Sequence, residues 1–182
     1  MQYIVIVIAI AFLLACGAEP ASDSNVAATP PGSVPAPAAP AAPSPPDATP
    51  AEAPEVEPGG SIEIEVGDQI RYSLTRFKAK SGEQITVTLR HTGQQPAQIM
   101  GHNIVFLLPG TDVQPFAIKA VQARDADYIP ESERGSILAH TRLIGGGETD
   151  SVSFTPPAPG TYPFVCTFPG HFTLMRGELI VE

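Results

Sequence analysis

The chain has no tryptophan and only two cysteines, Cys16 and Cys166, among its 182 residues. Cys166 is the single cysteine of the C-terminal part, residues 61–182, so this part cannot form an internal disulfide. All 10 lysines and arginines lie in the same part, mixed with acidic residues and without a basic patch interleaved with aromatic side chains. This charge distribution gives no support to nucleic-acid binding.

Residues 1–15 are almost purely apolar, and they contain no lysine or arginine. The run is short for a membrane-spanning helix and has the length of a signal-peptide apolar region. The letters LLACG at 13–17 resemble a bacterial lipobox, in which the cysteine becomes the lipidated first residue. We therefore predict a lipoprotein signal peptide over residues 1–15 and lipidation of Cys16. The alternative is an ordinary cleaved signal beside an incidental cysteine.

Residues 16–60 are dominated by alanine and proline and contain acidic but no basic side chains. Such a segment has too little apolar bulk to offset the entropy lost on ordering. We predict a disordered, semi-extended linker that would tether residues 61–182 to a membrane through Cys16.

Residues 61–182 show mainly the period-two alternation that is typical of half-buried strands. The alternating apolar positions include Ile62, Ile64, Val66, Ile85, Val87, Leu89, Ile137, Ala139, Val152, Phe154, Leu179 and Val181. Glycine and proline turn signals separate these runs. Only residues 112–127 have a helical pattern, with Asp112 as a possible N-cap. The pattern predicts an all-β fold, an antiparallel β-sandwich with one short helical excursion.

The segment CTFPGHFTLM at 166–175 places a thiol, an imidazole and a thioether at the spacing Cys-x4-His-x3-Met. A second imidazole, His102, lies upstream. Two imidazoles, one thiolate and a weak thioether are the ligands of blue-copper electron-transfer sites. The alternative is that Cys166 is a small buried hydrophobe and that His171 and Met175 serve packing. The coincidence of residue types and spacing favours copper.

The local pattern around these residues indicates how they converge. Residues 162–166 have the pattern of a strand, and Pro169 and Gly170 reverse the chain after it. Residues 102–108 form a second predicted strand, preceded by Gly101, whose missing side chain permits a close backbone approach. We expect one ligand-bearing loop to meet one distant strand.

Residues 61–182 resemble an azurin, a member of the cupredoxin family. The segments that carry the resemblance are MGHN at 100–103, LAHTRLIG at 138–145, DSVSF at 150–154 and the run 166–177. The resemblance implies a Greek-key β-sandwich with one type 1 blue copper per domain. The implied ligands are His102, Cys166 and His171 in the equatorial positions, Met175 in the axial position, and the Gly101 carbonyl oxygen as a weak fifth contact.

The resemblance also implies roles for neighbouring residues. Asn103 would connect the two ligand-bearing segments through Thr167, and the Phe168 amide would hydrogen-bond the Cys166 sulfur. An apolar partner patch would surround the exposed edge of His171. Its residues are Ile70, Ile99, Met100, Phe168, Pro169 and Leu174.

The chain departs from the azurin pattern in two ways. Azurins usually carry a disulfide near the start of the domain, which this sequence excludes, and many have a tryptophan where Ile104 stands. The tethered arrangement is similar to that of lipoprotein azurins, and APGTY at 158–162 is similar to auracyanins. His91 matches an azurin histidine near the copper, with a purely structural role equally open, and His140 matches a surface histidine.

The resemblance implies one-electron transfer between redox proteins and no enzymatic activity. Transient docking at the partner patch would suit a c-type cytochrome or a membrane-bound oxidoreductase. The domain would lie in the periplasm or on the cell surface of a bacterium. Copper storage or delivery is a first alternative, but it would favour a Met-rich site, and the chain has three methionines. A multicopper enzyme is a second, but Val165 and Thr167 flank the cysteine where such enzymes carry histidines.

Overall fold

The computed structural model describes residues 53–182. The predicted signal peptide, Cys16 and most of the predicted linker lie outside the described residues. The elements, in chain order, are β1 (Ser61–Val66), β2 (Arg76–Ala79), β3 (Ile85–His91), α1 (Ala97–Met100), β4 (Val105–Leu107), α2 (Val113–Ala120), β5 (Ile137–His140), β6 (Thr149–Phe154), β7 (Gly160–Val165) and β8 (Arg176–Val181). Two 3-10 helices, Arg124–Ala126 and Glu131–Ser136, lie between α2 and β5. Within this part of the chain, no helix has the length and apolar character needed to cross a membrane.

The strands form two sheets that pack face to face. One sheet has the order β1-β3-β6 and the other the order β2-β8-β7-β4-β5, so the predicted β-sandwich is confirmed. Four strand pairings are antiparallel, but β1 pairs with β3 and β2 pairs with β8 in parallel. Alternation has period two in both arrangements, and it therefore gave no sign of the parallel pairs.

The core lies between the two sheets. In β3 the side chains of Ile85, Val87 and Leu89 are buried, as their alternation predicts. From the other sheet, Phe106 and Phe164 pack against each other with ring centroids 5.4 Å apart. Burial of large side chains from both sheets supplies the main driving force for closing the sandwich.

The helical excursion is shorter than predicted. Asp112 caps α2, since its carboxylate accepts a hydrogen bond from the Gln114 amide at 3.2 Å. Helix α2 ends at Ala120, and the remainder of residues 112–127 contains a 3-10 turn instead of a continuous helix. Phe116 of α2 packs with Val105 and others against the outer face of the five-stranded sheet. Strand β4 is therefore buried on both faces, which explains its continuous apolar sequence.

The residues just before β1 already pack against the sandwich. The Val56 amide donates to the Lys78 carbonyl at 2.8 Å, and the Lys78 amide donates to the Pro54 carbonyl at 2.8 Å. The Val56 side chain is buried in the main core. Composition predicted that residues 54–60 belong to a disordered linker. In the structure these residues pack against the β-sandwich.

Strand β4 and strand β7 are antiparallel neighbours, with Val105 opposite Val165. The start of β4 and the end of β7 therefore lie side by side at the same end of the five-stranded sheet. His102 precedes β4, and Cys166 directly follows β7. This pairing brings together two residues that are far apart in sequence.

Candidate metal centre

Three potential metal ligands converge at this end of the sheet. The ligand atoms of His102, Cys166 and His171 all lie within 4.8 Å of one another. The Cys166 sulfur is 3.9 Å from Nδ1 of His102 and 3.7 Å from Nδ1 of His171. All three residues are buried. The structure thus brings together the two imidazoles and the thiol that the sequence singled out.

Backbone contacts hold His102 in place. Its amide donates to the Ile144 carbonyl at 3.0 Å, and the Ile144 amide donates back to the His102 carbonyl at 2.8 Å. Nε2 of His102 lies 2.8 Å from the Gly67 carbonyl oxygen, which can only accept, so Nε2 carries the proton. Nδ1 is then the unprotonated nitrogen, and it faces the Cys166 sulfur. A bond of this kind fixes the tautomer of a metal-binding histidine.

The loop between β7 and β8 carries Cys166, His171 and Met175. The Cys166 amide donates to the Met175 carbonyl at 3.0 Å and so closes the base of the loop. The His171 amide donates to the Phe168 carbonyl at 3.0 Å, across the turn formed by Gly170, whose φ of 83° suits glycine. These bonds return His171 to the side of Cys166.

Met175 and Gly101 flank the three converging ligands in sequence and are both buried. The Met175 side chain is fully buried, and its amide donates to the His171 carbonyl at 2.9 Å. At Gly101 a Cβ atom would lie 2.3 Å from the Ala97 carbonyl oxygen and 3.0 Å from the Leu143 side chain. Only glycine fits this position.

Asn103 and Thr167 connect the two ligand-bearing segments. Nδ2 of Asn103 donates to the Thr167 hydroxyl at 2.7 Å, and the Thr167 amide donates to Oδ1 of Asn103 at 2.9 Å. Nδ2 also donates to the Asp127 carbonyl at 3.1 Å. Backbone hydrogen bonds from Asn103 and Phe168 reach the Cys166 sulfur. The residue that follows His102 is thus hydrogen-bonded to the residue that follows Cys166.

Electrostatics in the site follow from burial. Burial raises the pKa of the Cys166 thiol to about 11, against the opposing effect of the backbone hydrogen bonds from Asn103 and Phe168. Burial also lowers the pKa of His102 to about 4 and the pKa of His171 to about 4. Both imidazoles are therefore neutral at pH 7, which is the form that binds metals. Two neutral imidazoles and a thiol, all buried, fit a copper ion.

The six residues of the predicted partner patch differ in exposure. Leu174 is 70% exposed and Ile99 is 62% exposed, whereas Ile70, Met100, Phe168 and Pro169 are partly buried. The ring of Phe168 lies 4.7 Å from the ring of His171. His171 is 3% exposed and His102 is not exposed at all, so His171 is the less buried of the two histidines.

Several residues near the site were missed or left open by sequence reasoning. His91 lies with its ring 5.1 Å from that of His102, and its Nε2 donates to the Met100 carbonyl at 3.1 Å, because Nδ1 accepts from the Gly93 amide. The Gly67 carbonyl orients His102, and Tyr72 donates its hydroxyl to the Asn103 carbonyl at 2.6 Å. Backbone carbonyl contacts leave no residue-type signal in a sequence.

Comparison with known proteins assigns the chain to a family. A family model described as copper binding proteins, plastocyanin/azurin family, matches residues 59–182. Azurin of Pseudomonas fluorescens biotype C is 38% identical over 126 residues, which cover 66% of this chain and 97% of that azurin. A crystal structure of reduced auracyanin from Roseiflexus castenholzii has a TM-score of 0.61 at 36% identity, covering 67% of this chain and 96% of auracyanin.

A further relative is longer than the matched region. Outer membrane protein H.8 of Neisseria gonorrhoeae is 40% identical over 120 residues, and the match spans 64% of this chain and 64% of the Neisseria protein. The family match covers nearly the whole described β-sandwich, including His102, Cys166 and His171. The chain belongs to the plastocyanin/azurin family of copper-binding proteins.

Proposed function

We propose that the chain holds one copper ion at His102, Cys166, His171 and Met175, with the Gly101 carbonyl as a weak fifth contact, and exchanges electrons through His171. The observation that carries the proposal is that one ligand atom each of His102, Cys166 and His171, all buried residues, lie within 4.8 Å of one another. Proteins of this family are electron carriers and not enzymes. When bound, copper supplies a centre that takes up one electron as Cu(II) and releases it as Cu(I).

The fold holds the proposed copper ligands in fixed positions. His102 is fixed by Gly67 and Ile144, and Cys166 is fixed through the base of its loop. The hydrogen bonds between Asn103 and Thr167 join the two segments. A site that is held by the fold needs little rearrangement when its charge changes by one, which favours rapid electron transfer.

The edge of His171 is the proposed exit for electrons. His171 is in contact with Phe168 and is the less buried of the two histidines. Leu174 and Ile99 expose apolar surface, which a redox partner could cover in a small and short-lived interface. A c-type cytochrome or a membrane-bound oxidoreductase fits such transient docking.

We further propose that the chain is a lipoprotein, with a signal peptide at 1–15, a lipidated Cys16 and the linker predicted over residues 16–60, of which residues 54–60 pack against the β-sandwich. The name of the H.8 relative places that protein in the outer membrane. Anchoring through Cys16 would hold this β-sandwich at a bacterial membrane, in the periplasm or on the cell surface.

Copper loading of the purified protein tests the proposed site. We expect uptake of one Cu(II) per chain and an intense blue absorption from thiolate-to-copper charge transfer. Cys166→Ser should lose the blue colour, whereas His140→Ala, which changes a partly buried histidine of β5, should keep it. A wild-type protein that loads copper without colour would contradict the ligand assignment.

A further inference from the structure

Tyr72 is a buried tyrosine that contacts the residue next to the ligand His102. It is 4% exposed, and its ring packs edge-on against Phe164 with centroids 5.5 Å apart. Its hydroxyl donates to the Asn103 carbonyl at 2.6 Å, a bond between segments 31 residues apart. A buried hydroxyl with a single carbonyl acceptor has one defined orientation.

Asn103 uses all of its polar groups. Its side chain engages Thr167 and Asp127, its backbone hydrogen-bonds the Cys166 sulfur, and its carbonyl accepts from Tyr72. Asn103 also directly follows His102. Its position therefore affects both the nitrogen ligand before it and the hydrogen bond to the sulfur ligand.

We propose that Tyr72 is a positioning residue of the redox centre, whose hydroxyl holds Asn103 so that the backbone hydrogen bond to Cys166 is maintained and the reduction potential stays high. The inference rests on the copper site proposed above. Tyr72 touches none of the converging ligand atoms through its hydroxyl, and it acts through Asn103.

The sign of the effect follows from charge. A hydrogen bond to the cysteine sulfur withdraws electron density from the thiolate and stabilises it more when the metal carries less positive charge. It therefore favours the reduced state. Loss of the Tyr72 hydroxyl would free the Asn103 carbonyl, loosen this segment and weaken the bond to Cys166, which would lower the potential.

The hydroxyl of Tyr72 remains a hydrogen-bond donor at neutral pH. Burial, and then the nearby charge of Cys166, raise the pKa of Tyr72 well above its usual value. Tyr72 therefore stays protonated at neutral pH, and its hydroxyl can donate to the Asn103 carbonyl.

Two isosteric substitutions test the proposal. Tyr72→Phe removes only the hydroxyl. Tyr162→Phe is the matched control, because Tyr162 is also buried and also donates to a backbone carbonyl, that of Ala158 at 2.8 Å. Both variants should lose similar stability in urea. A net hydrogen bond corresponds to about a fivefold change in an equilibrium constant.

In the copper-loaded protein we expect Tyr72→Phe to lower the reduction equilibrium constant by about fivefold, or about 40 mV for one electron. Tyr162→Phe should leave the potential at the wild-type value. An unchanged potential in Tyr72→Phe, or an equal shift in both variants, would overturn the inference.

A metal-free measurement separates this inference from the proposed function. In the 15N NMR spectrum of the metal-free protein, Tyr72→Phe should shift the amide signals of Asn103 and Thr167 and accelerate their hydrogen exchange, and Tyr162→Phe should not. If the wild-type protein fails to bind copper but these shifts occur, the ligand assignment is wrong while the role of Tyr72 in holding Asn103 stands. Unshifted signals would overturn that role whether or not copper binds.

Discussion

The ring of Tyr128 lies edge-on to the ring of Phe168, with centroids 5.5 Å apart and planes inclined by 73°. Phe168 in turn lies against His171. Tyr128 reaches this position from a left-handed backbone conformation, with φ of 60°, directly after Asp127 with φ of 52°. The loop that follows α2 is thereby fastened to the loop that carries Cys166 and His171.

We predict that Tyr128→Leu lowers the free energy of unfolding by about 1 kcal/mol, because an aromatic pair contributes roughly that much beyond its buried area. Tyr128→Phe keeps the ring and should stay within about 0.5 kcal/mol of the wild type. Urea unfolding of the metal-free protein measures both. Equal losses in the two variants would show that the hydroxyl, and not the contact with Phe168, stabilises this loop.

The sequence predicted the β-sandwich and the convergence of His102, Cys166 and His171, but not the parallel strand pairings. The spacing of Cys166, His171 and Met175 indicated one ligand-bearing loop, because a glycine-containing turn leaves few ways to connect them. The approach of His102 depends on the pairing of β4 with β7, and no local pattern encodes strand neighbours. The family resemblance supplied that long-range information.

Other features lay beyond sequence reasoning for physical reasons. The parallel pairing of β1 with β3 leaves the same alternation as an antiparallel pair. The role of Tyr72 depends on a backbone carbonyl acceptor, which every residue possesses. The end of α2 at Ala120 follows from the fold of the next segment, since the residues after it have adequate helix propensity.

Gly101→Ala should weaken copper binding and destabilise the fold. The added Cβ would collide with the Ala97 carbonyl, a backbone atom that cannot move aside easily, so His102 must shift. Overpacking of this kind costs about 1–3 kcal/mol. Gly135→Ala is the control, because a Cβ there meets nothing within 4 Å. Copper titration and urea unfolding would check the pair, and wild-type affinity in Gly101→Ala would refute the crowding argument.

Met175→Leu should keep a blue copper site and raise its reduction potential. The axial thioether donates weakly to copper and favours Cu(II), while the two histidines and Cys166 bind the ion. Met175 is fully buried, and a swap for leucine of similar volume costs less than about 1.5 kcal/mol. Voltammetry and the visible spectrum measure the outcome. Loss of copper from this variant would mean that the thioether is a primary ligand.

Cys16→Ser should abolish lipidation. The prediction rests on LLACG at 13–17 and the linker that follows. Cys16 lies outside the described residues, so intact-mass spectrometry of the mature protein from a bacterial membrane fraction is the decisive measurement. We expect acyl chains on residue 16 in the wild type and an unprocessed chain in the variant. A wild-type chain that starts at residue 17 or later would refute the anchor.

Leu174→Glu should slow electron transfer and leave copper bound. Leu174 is 70% exposed and belongs to the predicted partner patch beside His171. A carboxylate at this position must lose its hydration whenever a partner, or a second copy of the protein, covers the patch. Truncation at the centre of an interface typically costs about 1 kcal/mol or more, and about 1.36 kcal/mol on a barrier changes a rate tenfold.

We therefore expect electron self-exchange of Leu174→Glu to fall by about tenfold. Ile118→Glu provides the matched control, because Ile118 is a 55% exposed apolar residue of α2 outside the patch. It adds the same charge and should exchange electrons at the wild-type rate, apart from a small net-charge effect that added salt removes. Copper dissociation should be the same in both variants, since all proposed ligands are intact. An equal slowing of both variants would argue that net charge controls exchange, and unchanged exchange in Leu174→Glu would place the electron exit elsewhere than His171.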